Sequence, residues 1–149
     1  MLIIVSILAG LAVVFLVVPA IVFRVAAPKL NARVAKVYAS EAIVFSDHRA
    51  SNFGLESKGS TQQRGNGALV LTANELHFFQ LIPKSDFRIS LGEIKKVDAV
   101  RTHLGKTVGR KLLYVSFTVE GGEDAVAFSV RDIDAWLVKL AGTPAQNVK

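Results

Sequence analysis

The first 23 residues of the chain contain no charged side chain, and this run limits the fold more than any other feature. As an α-helix with a rise of about 1.5 Å per residue, it would be about 34 Å long, whereas the hydrocarbon core of a bilayer is about 30 Å thick. The proline of the run, Pro19, lies near its far end. Residues 1–23 therefore predict a transmembrane helix.

A cleaved signal peptide is the alternative interpretation of this run. Such a peptide has a basic start and an apolar region of about 7–15 residues. Here no Lys or Arg precedes Arg24, the apolar run is longer, and residues 32–35 resemble a cleavage site only faintly. We therefore expect an uncleaved anchor. The chain has no cysteine, which excludes disulfides, thiolate catalysis, cysteine-ligated metal and a cysteine-linked lipid.

The next segment, residues 24–39, is basic and predicts a juxtamembrane connector. Its cations, which we expect to contact lipid headgroups, are Arg24, Lys29, Arg33 and Lys36, and no acidic residue precedes Glu41. Because basic flanks stay on the inner side of a membrane, the sequence predicts a single-pass protein of the cell membrane with its N-terminus outside and its C-terminal domain in the cytoplasm. These cations supply much of the net charge of +6, so no nucleic-acid partner is expected.

From about Ser40 the apolar pattern changes from helical to alternating. Short alternating runs are separated by Ala73-Asn74, Gly121-Gly122 and other turn signals, which is typical of antiparallel strands. Two such runs, 42–45 and 51–56, flank the polar residues 46–49. Near the end, Asp132 as N-cap and Gly142 as terminator bound an amphipathic helix whose apolar face comprises Ile133, Trp136, Leu137 and Leu140.

The predicted fold is therefore an N-terminal transmembrane α-helix followed by a mainly-β domain. About seven antiparallel strands over residues 40–142 form a small sandwich or partly open barrel, and a C-terminal α-helix caps one end. Residues 143–149 are expected to form a flexible tail.

Three stretches carry a resemblance to a known family. Residues 67–72 (GALVLT), 75–79 (ELHFF) and 87–94 (FRISLGEI) resemble the G-x-L-x-L-T, x-L-x-F and I-x-L-x-x-I sequence of GRAM and bacterial PH-like domains. The resemblance covers residues 40–142. It implies the PH superfold with its capping helix, and it implies the binding of phosphoinositides, peptides or proteins, usually without catalysis.

The residues Gly105-Lys106-Thr107 match the end of a phosphate-binding P-loop, but the rest of that motif is missing. A P-loop has a first glycine five residues earlier, where this chain has Val100, and a helix after it, where this chain has an alternating strand pattern. The sequence therefore argues against nucleotide binding.

The same loop is basic and is our candidate binding site. Its cations are Arg101, Lys106, Arg110 and Lys111, with no acidic residue among them. At one rim of a sheet they would present positive charge to lipid phosphates or to a protein partner. The alternative is a solvated hairpin loop whose charges serve only solubility.

No catalytic or metal-binding motif accompanies this loop. His48, His77 and His103 are isolated in the sequence, without the short spacing of paired metal ligands. Ser51 and Ser129 lack a nucleophile motif. We therefore expect no enzyme activity, no metal and no cofactor.

Together these observations predict a membrane-anchored, non-catalytic PH-like binding module on the cytoplasmic face, which recognises a protein partner or anionic lipid headgroups. The alternative is a structural subunit of a membrane protein complex that assembles through its transmembrane helix. The small residues around Gly10 would then pack against other helices.

Overall fold

The computed structural model describes residues 2–142, and within the first helix the side chains at positions 2, 5, 8–16, 19, 20 and 23 lie outside that description. Two α-helices and seven β-strands follow one another along the chain. In order they are α1 (Leu2–Val37), β1 (Ile43–Leu55), β2 (Gly65–Thr72), β3 (Glu75–Gln80), β4 (Asp86–Ser90), β5 (Ile94–Val100), β6 (Leu112–Val119), β7 (Gly122–Ser129) and α2 (Ile133–Ala141). The predicted tail, residues 143–149, lies outside the described residues.

The N-terminal helix differs from the predicted anchor. Helix α1 extends over 36 residues. The helix therefore continues without a break from the apolar run into the basic segment that the sequence predicts as a connector. Within residues 2–142, no helix combines the length and the apolar character that crossing a bilayer requires. The prediction of a transmembrane helix over residues 1–23 is therefore wrong, and so are the single-pass class and the cell-membrane localisation with a cytoplasmic domain.

The seven strands form one antiparallel sheet in the order β4-β3-β2-β1-β7-β6-β5. Seven antiparallel strands followed by a C-terminal helix are what the sequence predicts, and this part of the prediction is confirmed. The sheet is open, however, because the terminal strands β4 and β5 do not pair with each other. The predicted partly open barrel is corrected to an open sheet.

Strand β1 joins the two halves of this sheet. The sequence predicts two short strands here, separated by polar residues 46–49, but the structure has one strand of 13 residues that pairs with β2 and then with β7. Asp47 explains the difference. Its buried carboxylate accepts hydrogen bonds from the backbone N–H groups of Arg49 (2.8 Å) and Arg131 (2.7 Å), at a shift in register with β2. The polar residues therefore form a bulge inside the strand.

The main core lies on the inner face of the sheet, under α2. Trp136 and Leu140 of this helix are fully buried, and the Trp136 ring contacts Phe45 edge-on, with ring centroids 4.8 Å apart. The Asp132 side chain caps α2 by accepting a hydrogen bond from the N–H of Ala135 at 3.0 Å. Helix α2 was predicted from this cap and the spacing of its apolar residues, and it is confirmed.

The outer face of β2 and β3 is covered by the C-terminal part of α1. Leu30 and Val34 are buried there against the apolar side chains of the strands, namely Ala68, Val70 and Phe79. Both faces of β2 and β3 are therefore largely buried, which is why residues 67–71 of β2 form a continuous apolar run rather than an alternating pattern.

Gly67 lets β2 and β3 lie close together, and replacing it tests this packing. A Cβ atom at position 67 would lie 2.0 Å from the carbonyl oxygen of Phe79 and 3.0 Å from the Phe78 ring, so the backbone would have to move. We expect Gly67→Ala to lower the free energy of unfolding by at least about 2 kcal/mol, measured by urea denaturation. Gly122→Ala is the matched control, because its Cβ would meet open space. Equal losses for both variants would contradict this packing.

Candidate functional site

The predicted basic loop, residues 101–111, lies on the outer face of β1, β6 and β7. His103 Nε2 is 2.8 Å from the carbonyl oxygen of Gly54, and Lys106 Nζ donates to the carbonyl oxygen of Gln62 at 2.5 Å. Arg110 donates to Ser129 Oγ through Nη2 at 2.6 Å and Nε at 3.1 Å. These hydrogen bonds hold the loop against the sheet.

Two of the four predicted binding residues in this loop are thus occupied by structural contacts. Lys106 and Arg110 bond to the fold, whereas the side chains of Arg101 and Lys111 are exposed and make no hydrogen bond or ion pair among the described residues. The loop therefore offers two free cations rather than a dense cluster of four.

The residues of α1 that the sequence predicts as headgroup contacts differ in whether their side chains bond to the sheet. Arg33 donates from Nη1 to the carbonyl oxygen of Gln80 at 2.7 Å and from Nη2 to Asp86 Oδ1 at 2.5 Å, and its guanidinium lies 6.0 Å from the centre of the Phe79 ring. Arg33 therefore fastens α1 to the sheet. Arg24 is exposed, farther toward the N-terminus.

A groove of about 680 Å³ separates α1 from the loop between β3 and β4. Every residue that lines the groove is either apolar or basic: Ile21, Val22, Val25, Ala26, Lys29, Ala32, Arg33, Lys36, Leu81, Ile82 and Lys84. The helical part, positions 21–36, corresponds to about 22 Å of α1. No acidic residue lines the groove, and Lys29, Lys36 and Lys84 have no ion pair or hydrogen bond in the part of the chain that the structure describes. The groove is therefore apolar toward the N-terminus of α1 and positively charged toward its C-terminus.

The loop between β3 and β4 contains residues that the sequence analysis missed. Ile82 is 71% exposed, and Leu81 and Lys84 line the groove beside it. The signal in the sequence was the pair Leu81-Ile82 followed by Pro83. A proline cannot donate a hydrogen bond to a central strand, so these apolar residues belong to a loop rather than to the sheet interior.

A second cavity, of about 390 Å³, lies on the other side of α1, against β1 and β2. It shares Val22, Ala26 and Leu81 with the groove, so the two spaces adjoin beneath this part of the helix. The remaining residues that line it are Ala27, Leu30, His48, Arg49, Ala50, Asn66 and Gly67.

A partly buried polar cluster lies where α1 ends on β3. The Tyr38 hydroxyl donates to the Glu75 carboxylate and lies 2.9 Å from His77 Nδ1. His77 is 1% exposed, stacks on Phe79 with ring centroids 3.7 Å apart, and leaves Nε2 without a hydrogen bond, 4.0 Å from Asp86 Oδ2.

Burial changes the acid–base behaviour of this cluster. It lowers the pKa of His77 to about 4, assisted by the positive charges of Arg88 and Arg33 and opposed by Asp86 and Glu75. Burial and the Glu75 carboxylate together raise the pKa of Tyr38 to about 12. At neutral pH both side chains are therefore uncharged, and they serve as a hydrogen-bonded support for the end of α1.

The three histidines lie in separate surroundings. His48 Nδ1 is 2.6 Å from Asn31 Oδ1, whereas His77 and His103 contact the residues already named. Among residues 2–142, no group of three His, Cys, Asp or Glu side chains is placed to hold a metal ion.

Comparison with known proteins identifies a fold neighbour but no family. No protein-family model matches the chain, and no curated protein matches it. A chain of the 8S snRNP assembly intermediate is similar in structure, with a TM-score of 0.54 and 12% sequence identity, over 74% of this chain and 87% of that one. The C-terminal domain of an unknown protein from Leishmania infantum gives a TM-score of 0.49 and 17% identity, over 72% of this chain and 84% of that one.

The similarity to the snRNP chain concerns the fold alone, because the sequence identity is low. Neither neighbour is identified as a GRAM or PH domain, so the resemblance to that family remains a prediction from the sequence.

The pKa of His77 predicts how stability depends on pH. In the unfolded chain this histidine has a pKa of about 6.5, whereas burial lowers its pKa in the folded protein to about 4. The unfolded state therefore binds more protons between these values, and the free energy of unfolding should fall as the pH falls through this window. We expect wild type to lose about 2 kcal/mol more than His77→Gln between pH 7 and pH 5, in urea denaturation.

His48→Gln is the control for this measurement. Burial also lowers the pKa of His48, so this variant separates the two histidines. If His77→Gln and wild type had the same dependence on pH, His77 would not be the titrating group.

Proposed function

We propose that the protein is a non-catalytic PH-like binding module that recognises anionic lipid headgroups at the groove between α1 and the β3–β4 loop. The observation that carries the proposal is the presence, in one groove, of several exposed apolar side chains and three lysines that have no partner among the described residues. The seven-stranded sheet and its C-terminal helix agree with the fold that the sequence resemblance to PH-like domains implies. That resemblance also implies binding rather than catalysis.

The charge of the groove supports an anionic ligand. Lys29, Lys36 and Lys84 converge on it without an acidic residue among the lining, and Arg33 already pairs with Asp86. An unpaired ammonium group near an anionic surface contributes about 1 kcal/mol to binding, and salt screens this attraction.

The apolar side chains support a lipid rather than a small soluble anion. Ile21, Val22 and Val25 of α1 are about half exposed, and Ile82 stands opposite them on the β3–β4 loop. Exposed apolar groups beside cations match a surface in which phosphates lie next to hydrocarbon. Nothing comparable accompanies Arg101 and Lys111, and this is why we place the site at the groove rather than at the loop that the sequence analysis favours.

The alternative of a structural subunit that assembles through the N-terminal helix stays a prediction. The side chains around Gly10, on which it depends, lie outside the described residues.

Vesicle flotation with the full chain tests the proposed function. We expect tighter binding to phosphatidylcholine vesicles that contain phosphatidylserine than to phosphatidylcholine alone, and we expect salt to weaken the difference. The triple variant Lys29→Gln, Lys36→Gln, Lys84→Gln should bind the anionic vesicles about a hundredfold more weakly at low salt, since three contacts of about 1 kcal/mol are lost.

The matched control removes the same charge elsewhere. Lys95, Arg101 and Lys111 are exposed cations outside the groove, and the variant Lys95→Gln, Arg101→Gln, Lys111→Gln should retain most of the binding. If this control lost the binding and the groove variant kept it, the site would be the basic loop. Equal affinity for neutral and anionic vesicles would overturn the lipid proposal and favour a protein partner.

A further inference from the structure

We propose that the space beneath α1 holds one acyl chain, so that the protein binds a single molecule of an anionic single-chain lipid such as lysophosphatidate. This inference rests on the proposed function, because the anionic head would occupy the lysine-lined groove. The inference adds a binding site for the hydrocarbon chain. Contact with headgroups at a lipid surface would not require such a site.

The course of α1 over the sheet creates this space. At Leu30 and Val34 the helix is in contact with β2 and β3, and both side chains are buried. Toward the N-terminus, Val22 is half exposed, and Val22 and Ala26 line cavities instead of being buried against strands. The helix therefore rises from the sheet before Leu30 and leaves a cleft under it.

The two cavities on either side of α1 adjoin within this cleft. Val22 and Ala26 line both from above, and Leu81 lines both from the β3–β4 loop. Their volumes, about 680 and 390 Å³, fall within the range of about 300–1,000 Å³ that ligand pockets occupy. A chain that enters from the lysine-lined groove would pass beneath Val22 and Ala26 into the smaller cavity.

The lining of the smaller cavity suits hydrocarbon rather than a polar ligand. Its apolar members are Val22, Ala26, Ala27, Leu30, Ala50, Gly67 and Leu81. Its three polar members are His48, Arg49 and Asn66, and none of them is without a partner. His48 bonds to Asn31, and the Asn66 side chain accepts a hydrogen bond from Ser51. A polar ligand would therefore gain few hydrogen bonds there, whereas an acyl chain would bury apolar surface.

The arrangement also fixes the direction of the lipid. Three lysines, Lys29, Lys36 and Lys84, line only the larger groove, whereas the smaller cavity has one cation, Arg49, among seven apolar residues. The phosphate of the lipid would therefore lie near the C-terminal turns of α1, with the end of its chain near Ala27. The smaller cavity limits the site to one chain.

Calorimetric titration of the full chain with monomeric lysophosphatidate tests this inference. We expect long-chain lysophosphatidate to bind at least tenfold more tightly than glycerol 3-phosphate, which has the same head without a chain. Lysophosphatidylcholine of equal chain length should bind at least tenfold more weakly than lysophosphatidate, because its head carries no net charge.

A variant that fills the smaller cavity separates the chain site from the headgroup site. Ala27→Phe should reduce the affinity for long-chain lysophosphatidate to that of glycerol 3-phosphate, while binding to anionic vesicles persists. Val37→Phe is the matched control, since it adds the same ring to an exposed position of the same helix and should change neither measurement.

A measurement on the wild-type chain removes any dependence on how Ala27→Phe folds. Nuclear Overhauser contacts should join the terminal methyl group of the bound lipid to the methyl groups of Ala27 and Leu30. Absence of these contacts, or equal affinities for lysophosphatidate and glycerol 3-phosphate, would overturn the acyl-chain site. If anionic vesicles still bound through the three lysines, the proposed function would stand without it.

Discussion

The contact between the C-terminal turns of α1 and the outer face of β2 and β3 is the interaction on which the rest of the structure depends. Leu30 and Val34 bury the apolar surface that these strands turn away from the main core, and Arg33 bonds to the end of β3 and to β4. The same contact positions Lys29 and Lys36 opposite Lys84. On an isolated helix these lysines would have no β3–β4 loop opposite them. The groove therefore exists only because α1 packs against the sheet.

The polar cluster of Tyr38, Glu75 and His77 supports this contact just after the C-terminal end of α1. Tyr38 follows the last residue of α1 and reaches Glu75 and His77 of β3, while His77 stacks on Phe79, which also packs against α1. A buried histidine with one unpaired nitrogen costs stability when it takes up a proton, because the charge would be desolvated. Helix docking and the uncharged state of His77 are therefore linked, and the groove should be best formed at neutral pH.

Much of the fold followed from local patterns, and much of the site did not. The β2–β3 hairpin and α2 were predictable because Asn74 in a tight turn, and Asp132 before a helical apolar pattern, act on neighbouring residues. The roles of Arg33 and Lys106 depend on Asp86 and Gln62, which are 53 and 44 residues away in the sequence, and no local pattern indicates such partners. Lys84 is isolated between strands, so only the folded chain shows that it faces α1. The transmembrane prediction rested on hydropathy and length alone, and within residues 2–142 no helix combines the length and the apolar character that crossing a bilayer requires.

The most direct test of this account separates helix docking from charge. Val34→Asp places a carboxylate in the buried contact and should release α1 from the sheet, whereas Val37→Asp makes the same change at an exposed position one turn later. Both variants keep every lysine of the groove, and amide hydrogen exchange would show that the sheet remains folded. We expect Val34→Asp to lose most of the binding to anionic vesicles and Val37→Asp to retain it. Equal binding by the two variants would contradict the claim that docking of α1 forms the site.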